Sequence, residues 1–160
     1  MDQSASARAL PSRQRLLAQL AAVLLPIMGC RPPAAPPEIL VTGVDYAFQL
    51  PATLKSGPAV LRFHNAGTVP HEMAVALLKQ GVTLGRMMEV MQAGGEIDSL
   101  LEGTVGILIA QPGDTTIGAL AVDLLPGRTY AIGCQFRDGP DRPPHLMLGM
   151  IASREISPAR

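Results

Sequence analysis

The segment from Cys134 to Met150 places several soft metal ligands in one short stretch of the chain. It contains one thiol, Cys134, one imidazole, His145, and two thioethers, Met147 and Met150. Thiolate, imidazole and thioether ligands together suit a copper ion that cycles between Cu(I) and Cu(II). The sequence on either side is strand-like, so the segment predicts a metal-binding loop between two strands.

The strand before this loop sets the direction of the thiol. Its period-two pattern places four side chains on one side: Tyr130, Ile132, Cys134 and Phe136. Because alternate residues of a strand share a face, the Cys134 side chain is expected to point the same way as the core residues. Proline fixes φ, so Pro143-Pro144 is expected to stiffen the approach to His145.

A trigonal copper site with one thiolate needs a second imidazole. The chain has three histidines, His64, His71 and His145. His71 follows a turn built around Asn65 and Gly67 and begins a strand. One face of that strand carries His71, Met73, Val75 and Leu77.

Three stretches carry a family resemblance. They are Asn-Ala-Gly-Thr-Val-Pro-His ending at His71, Leu-Leu-Pro-Gly-Arg-Thr-Tyr-Ala-Ile-Gly-Cys ending at Cys134, and Pro-His-Leu-Met-Leu-Gly-Met ending at Met150. Over about residues 38–157 the chain resembles the small blue copper proteins of the plastocyanin and azurin kind, the cupredoxins. The resemblance implies one mononuclear copper ion bound by His71, Cys134 and His145, with Met150 as the weak axial ligand.

The chain departs from the family pattern in two places. The stretch between Cys134 and His145 is longer than in the smallest family members, and its polar, turn-forming residues 137–142 are expected to bulge into solvent. Glu72 stands after the first histidine, where the family commonly has Asn. This change alters the hydrogen bonds expected around the ligands, and with them the redox potential.

Other residues have competing interpretations. Met147 is a rival axial ligand, although Gly149-Met150 matches the family turn. His64 shares its strand face with Arg62, which favours solvent exposure. A helical face of methionines could form a copper-loading patch, but its spacing favours a core role: Met87, Met88 and Met91.

The N-terminal residues resemble an export signal. Arginines precede an apolar run from Leu16 to Ile27, which is too short to span a membrane and fits a signal peptide over residues 1–29. The sequence Ile27-Met28-Gly29-Cys30 resembles a bacterial lipoprotein cleavage box, so Cys30 is the predicted lipidation site and membrane anchor. An ordinary secretory signal cut nearby is the alternative. The proline-rich residues 30–37 predict an extended spacer.

The cysteine count is consistent with a metal at Cys134. If Cys30 is acylated or removed, Cys134 is the remaining thiol and no intramolecular disulfide can form. A lone thiol in an oxidising compartment is a liability unless a metal occupies it. We therefore expect an exported protein, periplasmic or on the cell surface, held at a membrane by its lipid.

Composition defines the fold class of the remaining residues 38–160. With 15 prolines and 16 glycines the chain has many turn residues, which favours an all-β Greek-key sandwich. Thr83 to Gln92 predicts a short helical insertion between the first ligand strand and the last three strands, and Thr115 to Asp123 predicts a strand. The formal charge of zero and the lack of a basic run argue against nucleic-acid binding.

The ligand set implied by the resemblance predicts an electron carrier and not an enzyme. Too few histidines remain for a second copper centre, and a Cys134–His nucleophile pair lacks a third, orienting group. The domain is expected to be monomeric, and redox proteins are expected to dock on it at an exposed edge of His145. The apolar rim expected there comprises Val69, Pro70, Pro143, Pro144, Leu146 and Leu148. A copper carrier or storage protein without electron transfer is the alternative function.

Overall fold

A computed structural model describes residues 34–159 of the chain. The strands are β1 (Glu38–Val44), β2 (Ala47–Gln49), β3 (Leu54–Lys55), β4 (Gly57–Asn65), β5 (His71–Leu78), β6 (Leu101–Ala110), β7 (Leu120–Leu124), β8 (Thr129–Gly133) and β9 (Ile151–Ser157). One α-helix, α1 (Leu84–Gln92), lies between β5 and β6 within this part of the chain.

The strands form two mixed sheets. The first has the order β2-β1-β4-β7 and the second has the order β3-β9-β8-β5-β6. Most neighbouring strands are antiparallel, but β1 pairs with β4 and β3 pairs with β9 in parallel. The predicted all-β sandwich with a short helical insertion is confirmed.

The core lies between the two sheets and follows the period-two pattern of the sequence. In β4 the alternate residues Ala59, Leu61 and Phe63 are buried, and in β5 Met73 and Val75 face them from the other sheet. Burial of such side chains contributes about 25 cal/mol per Å² of apolar surface removed from water. The alternation therefore fixes which side of each strand faces inward.

Helix α1 is bounded by the signals expected from its sequence. The Thr83 hydroxyl accepts a hydrogen bond from the Arg86 backbone N–H at 3.2 Å, which caps the first turn. Gly94 has a φ of +72°, the left-handed conformation that commonly ends a helix. Met87 is buried against Leu78 and Ala131, so this methionine has a packing role.

The strand order after the helix differs from the prediction. Four strands follow α1 instead of three, because the sequence interpretation missed β6. The predicted strand Thr115–Asp123 is present only as β7, while Thr115 forms an isolated bridge with His64. Strand β6 extends the second sheet beside β5.

The N-terminal predictions fall mainly outside the described residues. The signal peptide (1–29) and the lipidation site Cys30 precede residue 34, and only residues 34–37 of the spacer are described, without regular structure. Among the described residues, no helix combines the length and the apolar character needed to cross a membrane.

Candidate metal centre

His71 is positioned by a rigid turn at the start of β5. Asn65, which is fully buried, donates hydrogen bonds from Nδ2 to the carbonyls of Val69 at 2.8 Å and Ala110 at 3.0 Å. Its Oδ1 accepts the backbone N–H of Gly67 at 2.9 Å. The Asn65 side chain thus hydrogen-bonds both within the turn and to β6. These contacts fix the position of His71 at the start of β5.

Cys134 and His145 are held at the two ends of a closed loop. The Leu146 N–H donates to the Cys134 carbonyl at 2.7 Å, and the His145 N–H donates to Phe136 at 2.8 Å. The Cys134 N–H donates to the Met150 carbonyl at 3.1 Å, and the Met150 N–H donates to His145 at 2.9 Å. Backbone hydrogen bonds therefore bring these loop residues together.

Three potential metal ligands converge at this end of the sandwich. The Nδ1 atoms of His71 and His145 are 3.1 Å apart, and the Cys134 sulfur lies 3.9 Å from the first and 3.5 Å from the second. Ligands that each lie about 2 Å from one metal ion are separated by roughly 3–4 Å. All three side chains are buried, with exposures of 0%, 1% and 0% for His71, His145 and Cys134.

On the side facing away from the cluster, each imidazole ring is hydrogen-bonded to an aspartate. His71 Nε2 lies 2.7 Å from Asp45 Oδ1, and His145 Nε2 lies 2.9 Å from Asp138 Oδ1. A carboxylate only accepts, so an imidazole that donates from Nε2 to its aspartate leaves the Nδ1 lone pair facing inward. Two inward-facing imidazole nitrogens and one sulfur form a donor set that fits one copper ion.

Comparison with solved structures identifies the fold. The chain superposes on auracyanin B with a TM-score of 0.50 at 15% identity, covering 79% of this chain and 92% of that one. The chain has the cupredoxin fold. The dithionite-reduced auracyanin of Roseiflexus castenholzii gives a TM-score of 0.48 at 17% identity, covering 79% of this chain and 99% of that one.

A further structure is similar to the same part of the chain. Auracyanin A, a blue copper protein from Chloroflexus aurantiacus, gives a TM-score of 0.48 at 16% identity, covering 77% of this chain and 99% of that one. No protein-family model and no curated protein matches the chain.

Three residues beside the ligand cluster were missed by the sequence analysis. Asp45 and Tyr46 form the turn between β1 and β2, and Asp138 lies in the loop between Cys134 and His145. The Tyr46 hydroxyl donates to Asp138 Oδ2, and its ring meets the His145 ring edge-on with centroids 4.8 Å apart. Asp-Tyr and Arg-Asp-Gly are ordinary turn sequences, so nothing local marked these residues.

Glu72 has a defined structural role beside the ligand cluster. Its Oε1 accepts the backbone N–H of Gln135 at 2.7 Å, and its own backbone N–H donates to the Cys134 sulfur at 3.4 Å. Glu72 therefore joins the strand of the first histidine to the loop that follows the cysteine. The carboxylate at this position thus supplies a hydrogen bond to the ligand loop.

The charge states of the surrounding groups follow from their contacts. Although burial opposes it, hydrogen bonds from Thr68 and His71 lower the pKa of Asp45 to about 2. Hydrogen bonds from Tyr46 and then from His145 lower the pKa of Asp138. Burial raises the pKa of the Cys134 thiol. The carboxylates are thus ionised at neutral pH, whereas a thiolate needs a bound cation to stabilise it.

The sequence analysis rejected a Cys134–His nucleophile pair because no third, orienting group was found. The structure supplies such a group but gives other reasons against the pair. Asp138 is the third, orienting group that the sequence analysis did not find, since it contacts His145, which in turn faces Cys134. However, the Cys134 sulfur is fully buried and its pKa is raised, and neither favours attack on a substrate. The second imidazole at 3.1 Å from the first also fits a metal ion better than a nucleophile–base pair.

The prediction that one edge of the His145 ring is exposed is wrong. The ring is almost completely covered, and Leu146 of the predicted rim is buried as well. A shallow depression of about 460 Å³ adjoins His145, and its walls are Val69, Pro70, Phe136, Arg137 and Asp138. The predicted rim is therefore partly replaced by charged residues of the loop.

The remaining candidates separate by burial. Met150 is fully buried and its backbone contacts both Cys134 and His145, whereas Met147 is 38% exposed. His64 lies outside the cluster, with Nδ1 at 3.0 Å from the Thr115 hydroxyl. Burial thus favours Met150 over Met147 as the residue available to the buried site.

Proposed function

We propose that this cupredoxin binds one copper ion through His71, Cys134 and His145, with Met150 as the weak axial ligand, and carries single electrons between redox partners. The observation that carries the proposal is the convergence of two Nδ1 atoms and one sulfur, all buried and all within 4.8 Å of one another. Copper would supply the one-electron couple. The protein would supply a fixed set of ligands.

The arrangement suits repeated oxidation and reduction. A thiolate with two imidazoles serves both oxidation states of copper, so little has to move when an electron is gained or lost. The turn closed by Asn65 and the loop closed between Cys134 and Met150 hold the ligands in place. Rigid ligands keep the reorganisation energy of electron transfer small.

We expect partners to approach at the depression beside His145. It adjoins a ligand ring and combines the apolar Val69, Pro70 and Phe136 with the charged Arg137 and Asp138. A mixed surface of this kind suits brief docking, in which charge guides the encounter and small apolar contacts orient it. The partner would be another one-electron redox protein.

The N-terminal sequence supports an exported location. Residues 1–29 fit a signal peptide, and lipid on Cys30 followed by a stiff spacer would hold residues 38–160 close to a membrane surface. Such a location would bring the domain near membrane-bound redox partners.

The test is a copper titration of the purified domain followed by absorption spectroscopy. Cu(II) is expected to produce an intense visible thiolate-to-copper band, with a reversible couple by voltammetry. Cys134→Ser should lose the band while remaining folded by circular dichroism, and His64→Gln, which changes a histidine outside the cluster, should retain it. An unchanged spectrum in Cys134→Ser would rule out the proposed ligand set.

A copper carrier that does not cycle the ion is the second candidate. It is favoured by the nearly complete burial of His145, which leaves no open ligand edge for direct contact with a partner. A colourless protein that binds Cu(I) tightly but shows no reversible couple would favour this function over electron transfer.

A further inference from the structure

The two histidines of the site are held by the same arrangement, although they come from different parts of the fold. Each ring directs Nδ1 toward the Cys134 sulfur and Nε2 toward an aspartate, Asp45 for His71 and Asp138 for His145. The two Nε2–carboxylate distances, 2.7 Å and 2.9 Å, are those of good hydrogen bonds.

Each carboxylate is itself anchored through its second oxygen. Asp45 Oδ2 accepts the Thr68 backbone N–H at 2.8 Å and the Thr68 hydroxyl at 2.5 Å. Asp138 Oδ2 accepts the Tyr46 hydroxyl. One oxygen therefore serves the imidazole and the other serves the anchor, so that neither carboxylate can rotate freely away from its ring.

The backbone beside Asp45 and His71 is closely packed against their side chains. A Cβ on Gly67 would collide with Asp45 Oδ1 and lie 2.9 Å from His71 Nε2. Tyr46, the neighbour of Asp45, lies edge-on to both rings, with centroid distances of 6.1 Å to His71 and 4.8 Å to His145. The turn between β1 and β2 thus contacts both histidines.

We propose that Asp45 and Asp138 are positioning residues that hold both imidazoles as Nε2–H tautomers, so that both Nδ1 lone pairs face Cys134 before any metal binds. The inference rests on the proposed copper function but adds residues to it. A carboxylate on the outer nitrogen fixes ring orientation and makes the inner nitrogen a stronger donor. A purely structural role would hold the loops without affecting the tautomers or the metal.

The first experiment uses the metal-free protein. Nitrogen-15 NMR of the imidazole rings reports the tautomer of each histidine directly. Wild type is expected to show His71 and His145 as Nε2–H. Asp45→Ala is expected to convert His71 into a mixture of tautomers and to leave the His145 tautomer unchanged. Asp138→Ala is expected to have the same effect on His145 and to leave His71 unchanged. Asp141→Ala, which removes an exposed aspartate from the same loop, is the matched control.

The second experiment measures copper affinity by competition with chelators of known strength. Each of Asp45→Ala and Asp138→Ala is expected to weaken binding by about 10–100-fold and to raise the reduction potential, because a less basic imidazole disfavours Cu(II). Asp45→Asn and Asp138→Asn, which keep an acceptor without the charge, should restore part of the affinity. Tyr46→Phe removes only the anchor of Asp138 and should produce a smaller shift in the same direction.

The outcomes separate this inference from the function on which it rests. If wild type forms no blue copper site, the electron-carrier proposal fails, while the metal-free tautomers still test the positioning role. If wild type binds copper but the alanine variants keep wild-type tautomers, affinity and potential, the positioning role is refuted. Should an alanine variant fail to fold, the asparagine variants, Tyr46→Phe and the wild-type tautomers decide.

Discussion

Gly43 lies in β1 at a point where two buried side chains leave no room for a third. A Cβ built there would be 2.9 Å from Cε2 and Cζ of Phe63 and 3.0 Å from the methyl group of Met150. Gly43 pairs regularly with Asn65 on one side and Phe48 on the other. We therefore interpret Gly43 as a site of close approach, and predict that Gly43→Ala destabilises the fold.

The magnitude follows from a comparison with a glycine that has space. Gly133, in β8 directly before Cys134, would place a Cβ with nothing within 4 Å, and neither glycine has a left-handed φ. In both alanine variants the free energy of unfolding rises by about 0.4–1 kcal/mol, because the unfolded chain loses conformational freedom. Overpacking costs Gly43→Ala about 1–3 kcal/mol in addition. The difference between the variants therefore isolates the crowding.

The assay is thermal unfolding of the two metal-free variants and wild type, followed by circular dichroism. At roughly 4 °C per kcal/mol for a domain of this size, Gly43→Ala should unfold about 4–12 °C below Gly133→Ala. Urea unfolding gives the same difference as a free energy. If Gly43→Ala unfolds at or above the temperature of Gly133→Ala, the crowding argument is refuted, because Phe63 and Met150 would then move aside at no cost.

Three further predictions concern the site and the anchor. Met150→Leu should raise the reduction potential, because an apolar side chain disfavours Cu(II), whereas Met147→Leu should leave it nearly unchanged; a larger shift from Met147 in voltammetry would move the axial role there. Glu72→Ala should lower the free energy of unfolding by about 1–3 kcal/mol, since Gln135 loses the acceptor for its N–H, and an unchanged urea midpoint would contradict this. Cys30→Ala should release the protein from the membrane fraction, and continued sedimentation together with an unacylated wild-type Cys30 would contradict lipidation.

The residues that converge were predictable because each lies in a recognisable local pattern. His71 follows a turn rich in Asn and Gly, and Cys134 ends a strand whose alternation was clear in the sequence. The structure brings both together with His145, as the family resemblance implied. Local pattern and resemblance were therefore sufficient to predict that these three side chains converge.

The supporting residues could not be predicted in the same way, because their contacts are distant in sequence. Asp45 meets His71 across 26 residues, and Tyr46 meets Asp138 across 92. Neither has a neighbour pattern that would identify its partner. Their position depends on how the turn between β1 and β2 folds over the end of the sandwich.

Strand β6 was missed for a different reason. It lies at the edge of its sheet, so much of Leu101–Ala110 is exposed, and the burial of its residues alternates only over the last four. Gly103 and Gly106 lower its strand propensity further. Its pairing with β5 also contains irregularities, between Val75 and Ala76 and between Leu77 and Leu78. Tertiary pairing thus extends a strand whose first half the local sequence does not indicate.

The long ligand loop shows how an insertion can serve the site without displacing it. Hydrogen bonds from the backbone of His145 and Leu146 to Phe136 and Cys134 close the loop at its base, so residues 137–142 project beyond the ligands, as the sequence indicated. The projection is more than a bulge into solvent, because it returns Asp138 onto His145 Nε2. A loop without Asp138 would lack this acceptor for His145 Nε2. The added length therefore supplies the carboxylate that orients His145, and it covers the ring together with Tyr46 from the turn between β1 and β2.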